Sequence, residues 1–249
     1  GTLTVNLSAG VVIGTNAGTD VLTSIERVLG GSGIDAVAGS SKDDVIESGA
    51  GADIVAGGSG RDTILGGSGD DALSGDGSGD LLDGGEGADL LLGGGGEDTL
   101  LGGAGDESLT GDAGADTLEG GTGADALKGG TSSDLFIERD GSGNDNYDGE
   151  GGNDTIDYTA VTTQIIVNLA ASSATGTGIG TDLVNGIETV VGGGAGDTIT
   201  GSGGGDTLSG GEGSDTLFGG DGADRFIAAL DAGDDTIDGG GGRDTLDYT

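Results

Sequence analysis

The chain is 249 residues long, with 64 Gly, no Pro, Cys, Met, His or Trp, and a formal charge of −38 from 45 acidic against 7 basic side chains. That charge excludes nucleic acid, whose phosphates need Lys and Arg, argues against anionic membranes, and leaves cations as the natural partners. The composition also excludes disulfides, offers no His for general base work, and holds no apolar run near the roughly 20 residues that span a bilayer, so no membrane insertion is expected.

Composition alone reads as disorder, because little bulky apolar material offsets chain entropy. The periodicity says otherwise. Residues 1–29 hold a short apolar strand, LTVNL, then a Gly/Thr/Asn stretch, then DVLTSIERVLGG, which already fits a nine-residue frame with Glu26 at position six and Val28 at position eight. They lack the glycines of the later units and are read as metal-free β coils of a first, truncated module. From residue 30 to 137 the chain divides into twelve nonapeptides without a gap. Position six is acidic in every one: Asp35, Asp44, Asp53, Asp62, Asp71, Asp80, Asp89, Asp98, Glu107, Asp116, Asp125 and Asp134. Position eight is apolar in every one, from Val37 and Ile46 through Leu127 to Phe136. Two extra residues, Glu138 and Arg139, precede two further units with Asp145 and Asp154 at position six, which closes a repeat region at 30–157. Residues 158–191 form a β-rich, metal-free interlude opening a second module. Region 192–249 then adds four units with Asp197, Asp206, Asp215 and Asp224, an insertion at 228–229, and two units with Asp235 and Asp244.

A longer repeat overlies the nonapeptides. Val5-Asn6-Leu7 matches Val167-Asn168-Leu169 at an offset of 162, and Phe136-Ile137 matches Phe226-Ile227 at an offset of 90. Both offsets are multiples of 18, so two nonapeptides make one structural coil, and the chain is a repeat architecture throughout. Continuation end to end with further modules or other copies is expected, and the absent Met reads as a piece of a larger or processed product.

In a unit GGxGxDxUx, six residues read as a turn and three as a strand. Glycines permit positive φ and close approach of neighbouring turns. In the strand the central residue faces one way and its neighbours the other, so position eight points inward. Stacking at about 4.8 Å sets each position-six carboxylate beside the one 18 residues on, in two columns that repel unless cations lie between them. Oxygen ligands without His or Cys, on flexible Gly turns, select Ca²⁺ over transition metals and Mg²⁺. Nineteen divalent ions would cancel −38, so roughly 10–18 calcium sites are expected.

GGSGRDTIL and GGTGADALK resemble the calcium-binding nonapeptide of the RTX (repeats-in-toxin) family. The resemblance implies an all-β parallel β-roll, a right-handed β-solenoid of two facing parallel sheets, with Ca²⁺ held between consecutive turns on one edge. It also implies secretion by the type I route to the cell surface or extracellular space, with folding delayed until external calcium is met. Departures mark weak or empty sites: Ser40 and Lys42 in the turn before Asp44, the longer Glu107, and Ser132 in place of a Gly.

Carboxylate pairs are explained by the repeat rather than by glycosidase chemistry, and no motif for phosphate binding or nucleophilic catalysis occurs, so the chain is read as not an enzyme. Phe136 and Phe226 read as core plugs. Tyr158, Tyr248 and Phe218 read as packing residues rather than sugar platforms. The favoured function is a calcium-dependent structural segment of a large exported bacterial protein, such as an adhesin stalk, surface layer or fibre. The alternative is the calcium-folded accessory region of a secreted enzyme or toxin, such as a metalloprotease, lipase, alginate epimerase or haemolysin.

Overall fold

A computed structural model describes residues 1–14, 18–228 and 233–248, so the insertion at 228–229 lies partly outside the described residues. The chain forms two compact units, Gly1–Thr131 and Ser132–Thr249. Each is a parallel β-solenoid of two sheets, with no α-helix among the described residues and a single 3₁₀ turn, Leu169–Ala171, capped by the Asn168 side chain.

In the first unit one sheet runs through Leu3–Asn6, Ala36–Ser40, Ile54–Ser59, Ala72–Gly77, Leu90–Gly95, Ser108–Ala113 and Ala126–Thr131. The other runs through Arg27–Gly31, Val45–Ala50, Thr63–Ser68, Leu81–Glu86, Thr99–Ala104 and Thr117–Thr122. Neighbouring nonapeptide strands pair in parallel at a spacing of 18: Leu82 lies opposite Ile64 and Leu100, and Leu91 opposite Leu73 and Leu109. Two nonapeptides therefore make one coil. Position eight is buried along the whole run, from Val37 through Ile46 and Leu91 to Leu127, because alternation along each strand turns that side chain onto the facing sheet.

The strands are longer than the three residues expected. Ile54–Ser59 spans positions seven to nine and the first three positions of the next unit, since the glycine turns stack in the same register and pair as well, Gly85 opposite Gly67 and Gly103. Position one consequently faces inward beside position eight. Gly57 is buried two residues after Val55. Positions two and four need positive φ, as at Gly58 (106°) and Gly60 (113°), and where Gly is absent Asp76, Asp112, Ser78 and Ser132 adopt it instead.

In the second unit the three-residue strands do occur, at Thr189–Val191, Thr198–Thr200, Thr207–Ser209 and Thr216–Phe218. The interlude is more than a coil. Ile165–Asn168, Ser173–Gly176 and Gly180–Asn185 form an antiparallel meander lying within the sheet, its first strand parallel to Thr198–Thr200 and its last parallel to Asn146–Gly151. The same meander recurs in the first unit as Leu3–Asn6, Val11–Gly14 and Gly18–Val21. There the third strand ends its sheet among the described residues. Ser24 (φ 54°) and Gly186 (φ 62°) keep the same left-handed turn 162 residues apart.

Phe136 and Phe226 are buried, and the Phe136 ring meets Tyr147 edge-on at 5.6 Å. Tyr158 is buried as well, whereas Phe218 and Tyr248 are exposed, contrary to the packing expected of them. Their strands Thr216–Phe218 and Thr245–Tyr248 end with these side chains on the outer face or the uncovered end of the roll.

Candidate metal centre

The position-six carboxylates point into the roll. Of the residues expected as ligands, Asp35, Asp53, Asp62, Asp71, Asp80, Asp89, Asp98, Glu107, Asp116, Asp125, Asp134, Asp145, Asp154, Asp197, Asp206, Asp215 and Asp224 are all buried. Asp235 and Asp244 lie exposed in the last coil. One oxygen of each typical carboxylate is used structurally. The backbone N–H of Asp53 donates to Asp71 Oδ1 at 2.7 Å, that of Asp71 to Asp89 at 2.7 Å, that of Asp62 to Asp80 at 2.7 Å, and that of Asp80 to Asp98 at 2.7 Å. In the second unit Asp134 donates likewise to Asp154 at 2.8 Å, Asp197 to Asp215 at 2.7 Å and Asp206 to Asp224 at 2.9 Å. The last coil keeps the rungs, Asp215 to Asp235 at 3.0 Å and Asp224 to Asp244 at 3.2 Å.

The other oxygen accepts a nearby amide at Asp35, Asp197 and Asp206, from Gly31, Gly193 and Ser202, but not in the middle of the first unit. Oδ2 of Asp53, Asp62, Asp71, Asp80, Asp89 and Asp98 is buried and accepts no hydrogen bond. A buried anionic oxygen without a donor is costly, and it marks a place for a cation. The position-one glycine shapes that place. A Cβ at Gly66 would lie 2.5 Å from Asp71 Oδ2 and 2.6 Å from the Gly84 carbonyl oxygen of the next coil. At Gly84 the same atom would lie 2.4 Å from Asp89 Oδ2 and 2.6 Å from the Gly102 carbonyl. Carboxylate and carbonyl oxygens therefore converge where only a residue without a side chain leaves room. No cluster of three or more carboxylates gathers among the described residues. A cation here would be held by one carboxylate oxygen together with turn carbonyls, hard ligands of the kind calcium takes.

Burial makes the carboxylates reluctant to ionise without such a cation. It pushes Asp71 and Asp116 up to about 6 and Asp80 up to about 7, against the opposing backbone hydrogen bonds. Asp62, Asp89 and Asp98 are raised by the same burial. At Glu107 burial, and then the Asp125 carboxylate beside it, pushes the value up to about 8.

The departures from the repeat have distinct structural outcomes. Both Glu107 oxygens are buried without a hydrogen bond, since the extra methylene carries them past the Asp89 amide, and the rung is lost. Lys42 does not enter the carboxylate column; its Nζ pairs with exposed Glu26 at 2.7 Å. Ser40 N donates to Asp44 Oδ2 at 2.7 Å, leaving Oδ1 of Asp44 bare. Ser48 is a departure that the repeat pattern alone did not mark. It stands at position one, fully buried, and its Oγ donates to the Gly66 carbonyl at 2.9 Å, so it fills the cradle beside Asp53.

Two column residues lie inside the interlude expected to be metal-free. Asp182 is buried; its Oδ1 accepts the Asp145 amide at 2.9 Å and its Oδ2 is unpartnered. Burial pushes it up to about 8. Glu188 Oε2 accepts the Asp154 amide at 2.9 Å. The sequence carries a signal for this: Gly180, Asp182 and Val184 occupy positions four, six and eight of a unit. Beside Asp182 the insertion residue Glu138 is buried and accepts the Tyr147 hydroxyl, and burial raises its carboxyl to about 7.

The model of the RTX calcium-binding nonapeptide repeat matches residues 29–64, 65–100, 101–136, 139–157, 182–217, 191–226 and 227–248. The chain belongs to this family. The match resumes at Asp182, where the column resumes in the structure. No curated protein matches the chain. As an RTX repeat chain it is a calcium-binding structural repeat region in a β-roll, and no helix among the described residues is long and apolar enough to cross a membrane.

Proposed function

We propose that this RTX roll is a calcium-dependent structural segment of a large exported bacterial surface or extracellular protein, folding when it meets calcium outside the cell. The observation that carries this reading is the row of buried, unpartnered Oδ2 atoms facing turn carbonyls across position-one glycines. Bound Ca²⁺ supplies the positive charge that these carboxylates lack. The protein's own residues fix the geometry: amide rungs orient each carboxylate, and glycines keep the cradle open.

The ligands proposed are the position-six carboxylates of 30–157 and 192–249, with Asp182 added from the interlude, for roughly 10–18 ions. Isothermal titration of the metal-free chain with Ca²⁺, and in parallel with Mg²⁺, tests the reading. Uptake of many calcium ions per chain, with far weaker response to Mg²⁺, is the result expected. Fewer than a handful of ions, or equal response to Mg²⁺, would overturn it.

A further inference from the structure

We propose that Glu138 is a cation ligand, holding a calcium ion inside the roll together with Asp145, Asp182 and the Tyr158 hydroxyl, at a site separate from the glycine cradles of the regular turns. The identity of the ion rests on the calcium reading proposed above.

Two residues beyond position eight the chain faces inward, and in the regular units that slot is a glycine, as at Gly66 after Ile64. Glu138 and Tyr158 take the same slot after Phe136 and Ile156, on the neighbouring strands Leu135–Arg139 and Thr155–Ala160. Both are buried. The two-residue insertion permits this, because Asp140, which opens the next unit, is left outside and exposed.

The carboxylates then gather around these two side chains. The Tyr147 hydroxyl donates to Glu138 Oε2 and lies 3.3 Å from Asp145 Oδ2. Asp182 follows on the column, its Oδ1 accepting the Asp145 amide at 2.9 Å. Burial, and then the Asp182, Glu138 and Asp145 carboxylates, push the Tyr158 hydroxyl well above its ordinary value. None of the buried polar side chains among the described residues is basic, so the protein itself supplies no buried countercharge here.

Two atoms point to an ion. Asp182 Oδ2 and the Tyr158 hydroxyl are both buried without a hydrogen-bond partner. An acceptor and a donor enclosed together would ordinarily bond each other, whereas a cation that takes a lone pair from each satisfies both. No three carboxylates converge tightly enough to hold a metal by themselves among the described residues. The hydroxyl oxygen therefore contributes, as turn carbonyls do in the regular cradles, and calcium accepts such mixed oxygen sets.

The copy 90 residues on exchanges these side chains as a set. Phe226, Ile227 and Asp235 repeat Phe136, Ile137 and Asp145, but Glu138, Ser142 and Tyr147 become Ala228, Ala232 and Ile237. Ser142 is buried like Glu138 and Tyr147, and Ala228 is buried in the inward slot of the copy. Three polar side chains lost together are what one shared site requires.

Terbium(III), a hard cation that replaces calcium, emits under tyrosine excitation only when bound close to a ring. Tyr147 and Tyr158 are buried at the proposed site, and the remaining tyrosine, Tyr248, is exposed. The whole chain, Glu138→Gln, and Glu138→Ala combined with Ser142→Ala (the residues of the copy) are compared by tyrosine-excited terbium emission and by calcium uptake in equilibrium dialysis. Circular dichroism in calcium reads folding. Both variants should fold, lose emission severalfold and take up about one ion fewer per chain. Folded variants that keep the emission and the calcium count overturn the site and leave protons to neutralise the cluster. Should a variant not fold, the unaltered chain decides: tyrosine-excited emission is expected, and its absence overturns the site. Failure of the calcium reading looks different, since the unaltered chain would then take up few ions, whereas here it takes up many and Glu138→Gln just as many.

Discussion

Gly66 separates a metal cradle from a merely close-packed turn. Its φ is not in the left-handed region, so an Ala there is allowed by the backbone, yet the added Cβ would fall between Asp71 Oδ2 and the Gly84 carbonyl. Gly66→Ala should therefore lose calcium, about one ion per chain, without removing any carboxylate. Gly95→Ala is the control, because its Cβ would meet only the Asp76 carbonyl oxygen at 4.0 Å; it should leave the stoichiometry unchanged. Ser48→Gly should do the reverse of Gly66→Ala, freeing the Gly66 carbonyl that Ser48 Oγ now engages and opening the cradle beside Asp53. Isothermal titration of the three variants reads all of this. The carboxylates were legible in the sequence because charge recurs at one position against a strongly apolar neighbour position. Ser48 was not, since the pattern does not tell that position one faces inward, where its hydroxyl meets the Gly66 carbonyl.

Along a strand, the inward residue and its neighbour carry opposite consequences. Leu91 is fully buried between Leu73 and Leu109, while Thr99 sits at position seven and is only partly covered. Leu91→Asp places an unpaired charge in a core one side chain deep, a loss on the order of 4 kcal/mol or more. Asp89→Ala removes one rung to the Asp71 amide, a loss of about 1–3 kcal/mol, together with a proposed ligand. Thr99→Ser should change little. The calcium midpoint of folding, followed by circular dichroism, should rank Leu91→Asp above Asp89→Ala above Thr99→Ser. The parallel pairing was readable from offsets that are multiples of 18, because module copies that keep the same stacking register differ by whole coils. The meander at Ile165–Asn168, Ser173–Gly176 and Gly180–Asn185 was not, since a hairpin lying within the sheet leaves no periodic trace. Its return to the column at Asp182 has a trace in the sequence, but a faint one, because the segment lacks the paired glycines that open the other units.

For the whole molecule, a charge of −38 and carboxylates buried beside one another oppose folding unless cations or protons intervene. The pH dependence comes from Asp71 and Asp116 at about 6, Asp80 at about 7, and Glu107 and Asp182 at about 8. These folded values lie above the unfolded carboxylate range near 4. The metal-free roll thus binds more protons than the unfolded chain, and its stability falls as pH rises from about 4 to 8. Without calcium, acidification to about pH 4 should increase β structure, and alkaline pH should abolish it. With calcium the sense reverses, because the metal needs the ionised carboxylates, and the calcium midpoint should drop as pH rises from about 5 to 8. A potentiometric titration should find protons released when Ca²⁺ is added at about pH 6.

Calcium dependence of folding at neutral pH can be measured directly, by far-ultraviolet circular dichroism of one sample in chelator and then in millimolar Ca²⁺. A disordered spectrum that converts to a β-rich one on adding calcium, and reverts with excess chelator, is the result predicted by cations held between position-six carboxylates and turn carbonyls. Superimposable β-rich spectra in both conditions would contradict it.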